Sequence, residues 1–283
     1  MNQKWIDKVL LLPAQVKLWL KISLGVFSKD LQIRKKKERV SSRYLVFTSA
    51  GDRSSVDAWV QGRRDFDLWI TYYGDQPGRY SGLCEFYNAH KGGKFPNLHY
   101  AYQKWPEIFA AYDAVMVMDD DVIISTQDIN KMFQVRERYD LWICQPAFLR
   151  TGRVSHEITV AQEGKFLRFT NYVEMTCPLF WRRKLDDFMK VYDPVLVGHG
   201  CDLWFLDVIR QDQREKVAVV DAIRCVNPSD HSKGPGGREI VRLQSDEQRR
   251  KIWKSIRERF QIQGNVFDLK EFGSVILGEE RQV

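Results

Sequence analysis

Residues 113–122 read Asp113-Ala114-Val115-Met116-Val117-Met118-Asp119-Asp120-Asp121-Val122. The apolar run Val115 to Met118 is short for a helix and suits a strand buried on both faces. Three carboxylates follow it directly. Open α/β sheets bind ligands beyond the carboxyl ends of their strands, and three adjacent carboxylates repel one another there unless a cation neutralises them. A hard divalent ion takes oxygen ligands and keeps positions for water or substrate phosphates. In extended geometry Asp119 and Asp121 point the same way, so both are expected at one metal site. The alternative is a polar turn with its acids in water.

The segments on either side share this texture. YLVFTSAGD (44–52) and FDLWITYYGD (66–75) each end an apolar strand in a small-residue loop. Residues 100–112 are helix-like, with Pro106 near the helix start, and 126–139 read as a second helix before the short strand LWICQP (141–146). Strands alternating with helices argue for an α/β fold, a mainly parallel sheet flanked by helices. Past residue 150, NYVEMTCPLFWRR (171–183) reads as strand, turn and helix, and GHGCDLWFLDVIRQ (198–211) as a glycine loop capped by Asp202 opening a helix. VAVVDAIRCV (217–226) is a strand, SDHSKGPGG (229–237) a breaker-rich loop, and 245–260 a charged amphipathic helix before a tail. The expected organisation is an arm over 1–42, a single catalytic domain over 43–240 and a helical extension over 241–283.

The net charge of +7 sits wholly in the arm, where residues 1–42 hold ten Lys/Arg against three acids. The other 241 residues balance at 34 against 34, and a neutral body argues against a nucleic-acid partner. Residues 16–27 fit either a helix with a lysine stripe or an alternating strand. Beside Arg34-Lys35-Lys36-Lys37 this segment has two readings, an anionic membrane contact or a core-packing extension with a solvated linker. No span is apolar enough to cross a bilayer, and Lys17 and Lys21 break any signal-peptide pattern. The five cysteines lack metal or paired spacing, so reduced thiols and a cytoplasmic location are expected, peripheral at the inner membrane face if the arm binds there.

A hydrophobic strand ending in Asp-x-Asp resembles the GT-A class of nucleotide-sugar glycosyltransferases. Taken in order, YLVFTSAGDRSSVDAWV with DLWITYYGD, YAYQKWPEI, MDDDV, NYVEMTCPLFWRR, GHGCDLWFLDVI and VAVVDAIRCVNPSDHSKG resemble a little-characterised glycosyltransferase-like family of bacteria and plants. The resemblance covers roughly 43–240. It implies a GT-A-like, Rossmann-like fold and a metal-dependent transfer of sugar from a nucleotide donor, UDP-sugar favoured, to a hydroxyl acceptor in cell-surface glycan or polysaccharide synthesis. It implies Mn2+ or Mg2+ held by Asp121, with Asp119 sharing the metal or meeting the ribose, and a late ligand from His231. Thr48, Ser49, Ala50 and Asp52 would meet the nucleoside, with Asp75 a second candidate. Lys104 and Lys233 would meet phosphates. Asp202 would serve as general base and Glu174 as the second catalytic carboxylate; Trp181 and Trp204 could stack on sugars. Two other classes compete: a metal-dependent phosphoryl hydrolase, for which Asp52 is the candidate nucleophile, and a non-catalytic carbohydrate- or membrane-binding module.

Overall fold

A computed structural model describes residues 12–23, 30–34, 42–209, 214–229 and 239–280. The first half runs α1 (Ala14–Ser23), β1 (Gln32–Ile33), β2 (Tyr44–Ala50), α2 (Val56–Trp59), β3 (Asp67–Tyr72), β4 (Phe86–Ala89), α3 (Lys94–Lys104), α4 (Pro106–Phe109) and β5 (Ala114–Asp119). The second half runs α5 (Thr126–Arg138), β6 (Ile143–Phe148), a 3-10 turn (Glu157–Thr159), β7 (Lys165–Thr170), β8 (Leu179–Trp181), α6 (Arg182–Val191), α7 (Cys201–Ile209), β9 (Val217–Cys225), α8 (Glu239–Leu243), α9 (Asp246–Phe260) and β10 (Glu271–Ile276).

Among the described residues the strands form one ten-stranded sheet in the order β1-β4-β3-β2-β5-β8-β6-β9-β7-β10. The block β4-β3-β2-β5 is parallel, with helices crossing between β2 and β3 and between β4 and β5 and a helix-free connection from β3 to β4. Beyond β5 the sheet is mixed, because β8 pairs antiparallel with both β5 and β6, and β7 antiparallel with β9 and β10. Register aligns Ser49 with Asp119 and Ala50 with Tyr72, so β2, β3 and β5 end on one edge.

The strand β5 is apolar throughout because both its faces are covered. Val115 and Val117 enter one core cluster with Phe95 and Leu98 of α3, Phe188 of α6 and Phe205 of α7. Ala114, Met116 and Met118 enter the opposite cluster with Ile129, Met132 and Phe133 of α5. The five cysteines are buried with free thiols.

The structure corrects several boundaries. The helix read over 100–112 is two: α3 begins at Lys94 and ends at Lys104, and Pro106 opens the separate α4, since a residue before proline leaves the helical region. Residues 14–23 are helical, and Leu18 and Ile22 pack on the core while Lys21 pairs with Glu107 at 3.1 Å; over this stretch the core-packing reading holds. The tail carries β10, which closes the sheet edge on β7, so the last segment is more than helical. The strand β7 escapes a pattern reading because Arg168 interrupts it. That arginine is buried and paired with Asp221 of β9 at 2.9 Å. Lys35 to Lys37, His231 and Lys233 lie outside the described residues.

Candidate active site

The acidic triplet divides its work. The strand ends at Asp119, and Val122 N–H closes a turn on its carbonyl at 3.3 Å. The extended spacing expected to aim Asp119 and Asp121 together therefore stops at Asp119. Asp120 faces the loop after β2: its Oδ2 accepts the Gly51 N–H at 2.9 Å, and its carbonyl accepts Ser55 N–H at 2.6 Å and the Ser54 hydroxyl at 3.0 Å. It pins residues 51–55, leaving Asp119 and the half-buried Asp121 as candidate ligands.

Asp119 meets a cation that pattern reading missed. Lys94, buried at the start of α3, places Nζ 2.7 Å from Asp119 Oδ1, with carbonyls of Met175 at 2.5 Å and Thr176 at 2.9 Å completing three acceptors for three protons. Asp119 N–H donates to the Thr176 carbonyl at 2.8 Å. Residues 174–176 are thus fastened to the end of β5.

Glu174 stands on this fastened segment. Its N–H donates to Gln145 Oε1 at 2.5 Å, and Oε1 accepts the Thr176 hydroxyl at 3.2 Å. Its Oε2 is buried without a hydrogen-bond partner. Burial first, and then the charge of Asp202, push the Glu174 carboxyl up to about 7, against the opposing pull of the Ser155 and Thr176 hydroxyls. Asp202 completes the group. Its Oδ2 accepts the Tyr172 hydroxyl at 2.6 Å and its Oδ1 the Leu203 N–H at 2.9 Å. Burial and the Asp202 charge raise the Tyr172 phenol far above its ordinary range, so it stays a donor. His156 packs edge-on against Tyr172 with ring centroids 4.8 Å apart.

Helix α7 begins at Cys201, so Asp202 lies inside its first turn rather than at the cap. The chain enters through Gly200 at φ +87°, in the left-handed region, and a Cβ there would strike the indole of Trp253 on α9. Glycine answers both constraints, and α9 thereby braces the loop that delivers Asp202.

Other expected residues lie elsewhere. Thr48 and Ala50 are strand residues with fully buried side chains, and the Thr48 hydroxyl donates to the Met118 carbonyl at 2.9 Å. Ser49 Oγ accepts Asn97 Nδ2 at 2.8 Å. The Asp52 carboxylate accepts the Tyr72 hydroxyl and the Asp75 N–H; the Tyr72 bond leads in holding it below the usual range. Asp75 is exposed and pairs with Lys91 at 2.8 Å. Lys104 ends α3, ten residues and about 15 Å along the axis from Lys94, and pairs with Asp30 at 2.7 Å. The lysine at the cluster is Lys94. Trp204 is core, and Trp181 pairs with Ala114 at the opposite end of β5 from Asp119. Lys94 and His156 lie outside the quoted segments, and Tyr172 lies within NYVEMTCPLFWRR but was not singled out there.

Neither a protein-family model nor a curated protein sequence matches this chain. Among solved structures it is similar to the S. aureus protein TarS, residues 1–349 with UDP-GlcNAc, at 10% identity and a TM-score of 0.53, over 80% of this chain and 68% of that one. The fold is GT-A-like. The same TarS fragment with UDP aligns over 66% of this chain and 60% of that one, less than two thirds of its length, at 10% identity and a TM-score of 0.44. GalNAc-T7 with UDP, GalNAc and Mn2+ aligns over 93% and 64% at 10% identity and a TM-score of 0.49. At such identities the likeness concerns the GT-A-like fold alone. Among the described residues no helix is long and apolar enough to cross a membrane.

The raised Glu174 carboxyl sets a pH dependence. A folded-state value of about 7 lies above the ordinary glutamate value of about 4.3, so folding takes up a proton between them. The stability from this group is complete below pH about 4 and is lost as pH rises through about 7. Glu174→Gln removes the loss, so thermal unfolding of the variant at pH 8 should show a gain of up to about 3 kcal/mol over wild type, shrinking toward zero at pH 4. A variant less stable at pH 8 than at pH 4, relative to wild type, contradicts the assignment.

Proposed function

We propose that this chain transfers a glycosyl group from a nucleotide sugar, a UDP-sugar in the favoured case, to a hydroxyl of a glycan or lipid-linked acceptor in bacterial cell-surface glycan synthesis. One observation carries the reading. Asp119, Glu174 and Asp202, from three separate segments, converge beside the carboxyl end of β5 in a GT-A-like sheet. The UDP-GlcNAc bound to TarS supports a nucleotide-sugar donor.

Among the described residues no group of three His, Cys, Asp or Glu side chains converges as a metal cage. Asp119 and Asp121 supply two carboxylates on one turn, which is the set a small hard cation takes when substrate phosphates provide the rest. The donor set therefore fits Mn2+ or Mg2+ shared with a diphosphate, with His231 and Lys233 as further candidates from the late loop. When bound, such a cation offsets charge developing on the departing diphosphate. The chain's own residues do the remainder. Lys94 fixes the Asp119 carboxylate and brings positive charge to the donor side. Asp202, held by Tyr172, takes the acceptor hydroxyl proton as that oxygen bonds to the anomeric carbon. Glu174, with one buried oxygen unpartnered, holds a sugar hydroxyl.

The hydrolase reading needs a free nucleophilic carboxylate after the first strand, whereas Asp52 is tied to Tyr72 and Asp75. The polybasic run Lys35 to Lys37 supports work near an anionic membrane surface. Asp121→Ala is expected to abolish the Mn2+-dependent part of UDP affinity, seen by calorimetry as loss of at least about tenfold in affinity with Mn2+ present and little change without it. Equal Mn2+-dependent affinity in variant and wild type would remove Asp121 as a ligand.

A further inference from the structure

Residues 155–158 and 160–162, with Val266, Leu269 and Glu271, line an open cavity of about 690 Å3, within the size range of small-ligand sites. Its wall adjoins the carboxylates through one intervening side chain, Tyr172. Ser155 and His156 line it. Behind them the Ser155 hydroxyl bears on Glu174, and His156 packs on the Tyr172 ring that holds Asp202. None of Asp119, Asp121 or the loop after β2 lines it. Glu174 and Asp202 do not line it either, but His156 of its wall stands one ring, Tyr172, from Asp202, so the cavity adjoins these two carboxylates on the side away from the expected donor site.

The charge of the wall selects what enters. Its two arginines and two glutamates cancel, and each cation already has a carboxylate partner. Arg150 meets Glu157 in two contacts at 3.0 and 2.6 Å. The buried Arg168 is spent on Asp221, at 2.9 and 3.0 Å, and on the carbonyls of Ile158 and Val160. Glu271 takes Lys165 at 2.5 Å. Burial also lowers the His156 imidazole, so it adds no positive charge near neutral pH. An entering phosphate or carboxylate would have to break an ion pair to find a cation. A sugar finds hydroxyl partners at Gln162 and Ser155 and apolar surface at Val266 and Leu269 for its ring C–H faces.

We infer that this cavity receives the acceptor, and that the acceptor is an uncharged oligosaccharide whose reacting hydroxyl reaches Asp202 past His156. This rests on the glycosyl-transfer reading above. In the step it serves, the acceptor oxygen bonds to the anomeric carbon as that carbon's bond to the diphosphate oxygen breaks. The proton passes to Asp202, and the nucleoside diphosphate leaves with the electron pair.

Methyl NMR on the full chain tests it, with Ile158, Val160, Val266 and Leu269 as reporters at the cavity and Met118 as a reporter beside the acidic turn. The probes are neutral trisaccharides (maltotriose, cellotriose, chitotriose), the anionic trigalacturonate, and UDP with Mn2+. At least one neutral trisaccharide should shift the cavity methyls saturably, and trigalacturonate should not. Gln162→Ala should weaken that binding about fivefold, the worth of one hydrogen bond, with unfolding temperature unchanged. Cavity methyls that respond to no neutral trisaccharide, that prefer trigalacturonate, or that respond to UDP overturn the inference. Sugar binding with Met118 silent to UDP and Mn2+ would instead count against the transferase reading and leave a neutral-glycan cavity standing.

Discussion

Asp202→Asn is expected to leave nucleotide affinity at its wild-type value and to cut transfer by about 10²- to 10⁴-fold, the usual worth of a positioned general base. The amide keeps the size of the carboxyl group and an oxygen to accept the Tyr172 hydroxyl, whose bond to Asp202 is 2.6 Å, but it cannot accept the acceptor's proton. Single-turnover transfer, measured with UDP affinity by calorimetry, separates the two effects. Turnover within about threefold of wild type removes Asp202 as the base. Lost nucleotide affinity with normal turnover at saturation would move Asp202 to the donor side.

Asp221→Ala is expected to cost about 3–5 kcal/mol of stability, the range found when one partner of a buried ion pair is removed. Arg168 and Asp221 are 1% and 0% exposed, so the substitution leaves a buried guanidinium whose remaining carboxylate neighbour, Glu271, is 3.9 Å away. The damage should extend to the cavity. Arg168 holds the carbonyls of Ile158 and Val160, and Asp221 Oδ1 accepts the Gln162 N–H at 2.8 Å. The pair thus fixes the segment that carries Ser155 and His156. Denaturant unfolding reads the first effect. Hydrogen exchange of the amides from 156 to 162 reads the second, and should quicken more than that of β2 or β5. A loss below about 1 kcal/mol would mean that the pair's desolvation nearly cancels its attraction.

Three strands of the parallel block were legible in the sequence because they are local and largely apolar; the fourth, β4 (Phe86–Ala89), is four residues long and was not read as a strand. YLVF, DLWI and VMVM each declare a strand buried on both faces, and small or acidic residues mark where each one ends. The mixed half was less legible. Arg168 hides β7, since a strand pattern treats an arginine as a surface residue, and only the facing Asp221 makes its burial tolerable. Of the acids, Asp119, Asp121, Asp202 and Glu174 could be singled out from sequence. The division of labour within the triplet could not, because Asp120 is claimed by Gly51, 69 residues away. Lys94 was passed over in favour of Lys104. Both lie on one helix, and only the packing of 175–176 against its first turn decides which end meets Asp119.

By itself the amino-acid sequence determined that an α/β sheet forms and that carboxylates crowd the end of its central strand. Backbone period and apolar burial act over a few residues and need no partner. The tertiary structure alone decided which cation meets Asp119, why the Glu174 carboxyl holds its proton toward neutral pH, and that a charge-balanced cavity opens beside Asp202. Those properties arise from desolvation and from contacts between segments tens of residues apart, and a side chain's charge or proton affinity follows what surrounds it in space, whatever its neighbours along the chain.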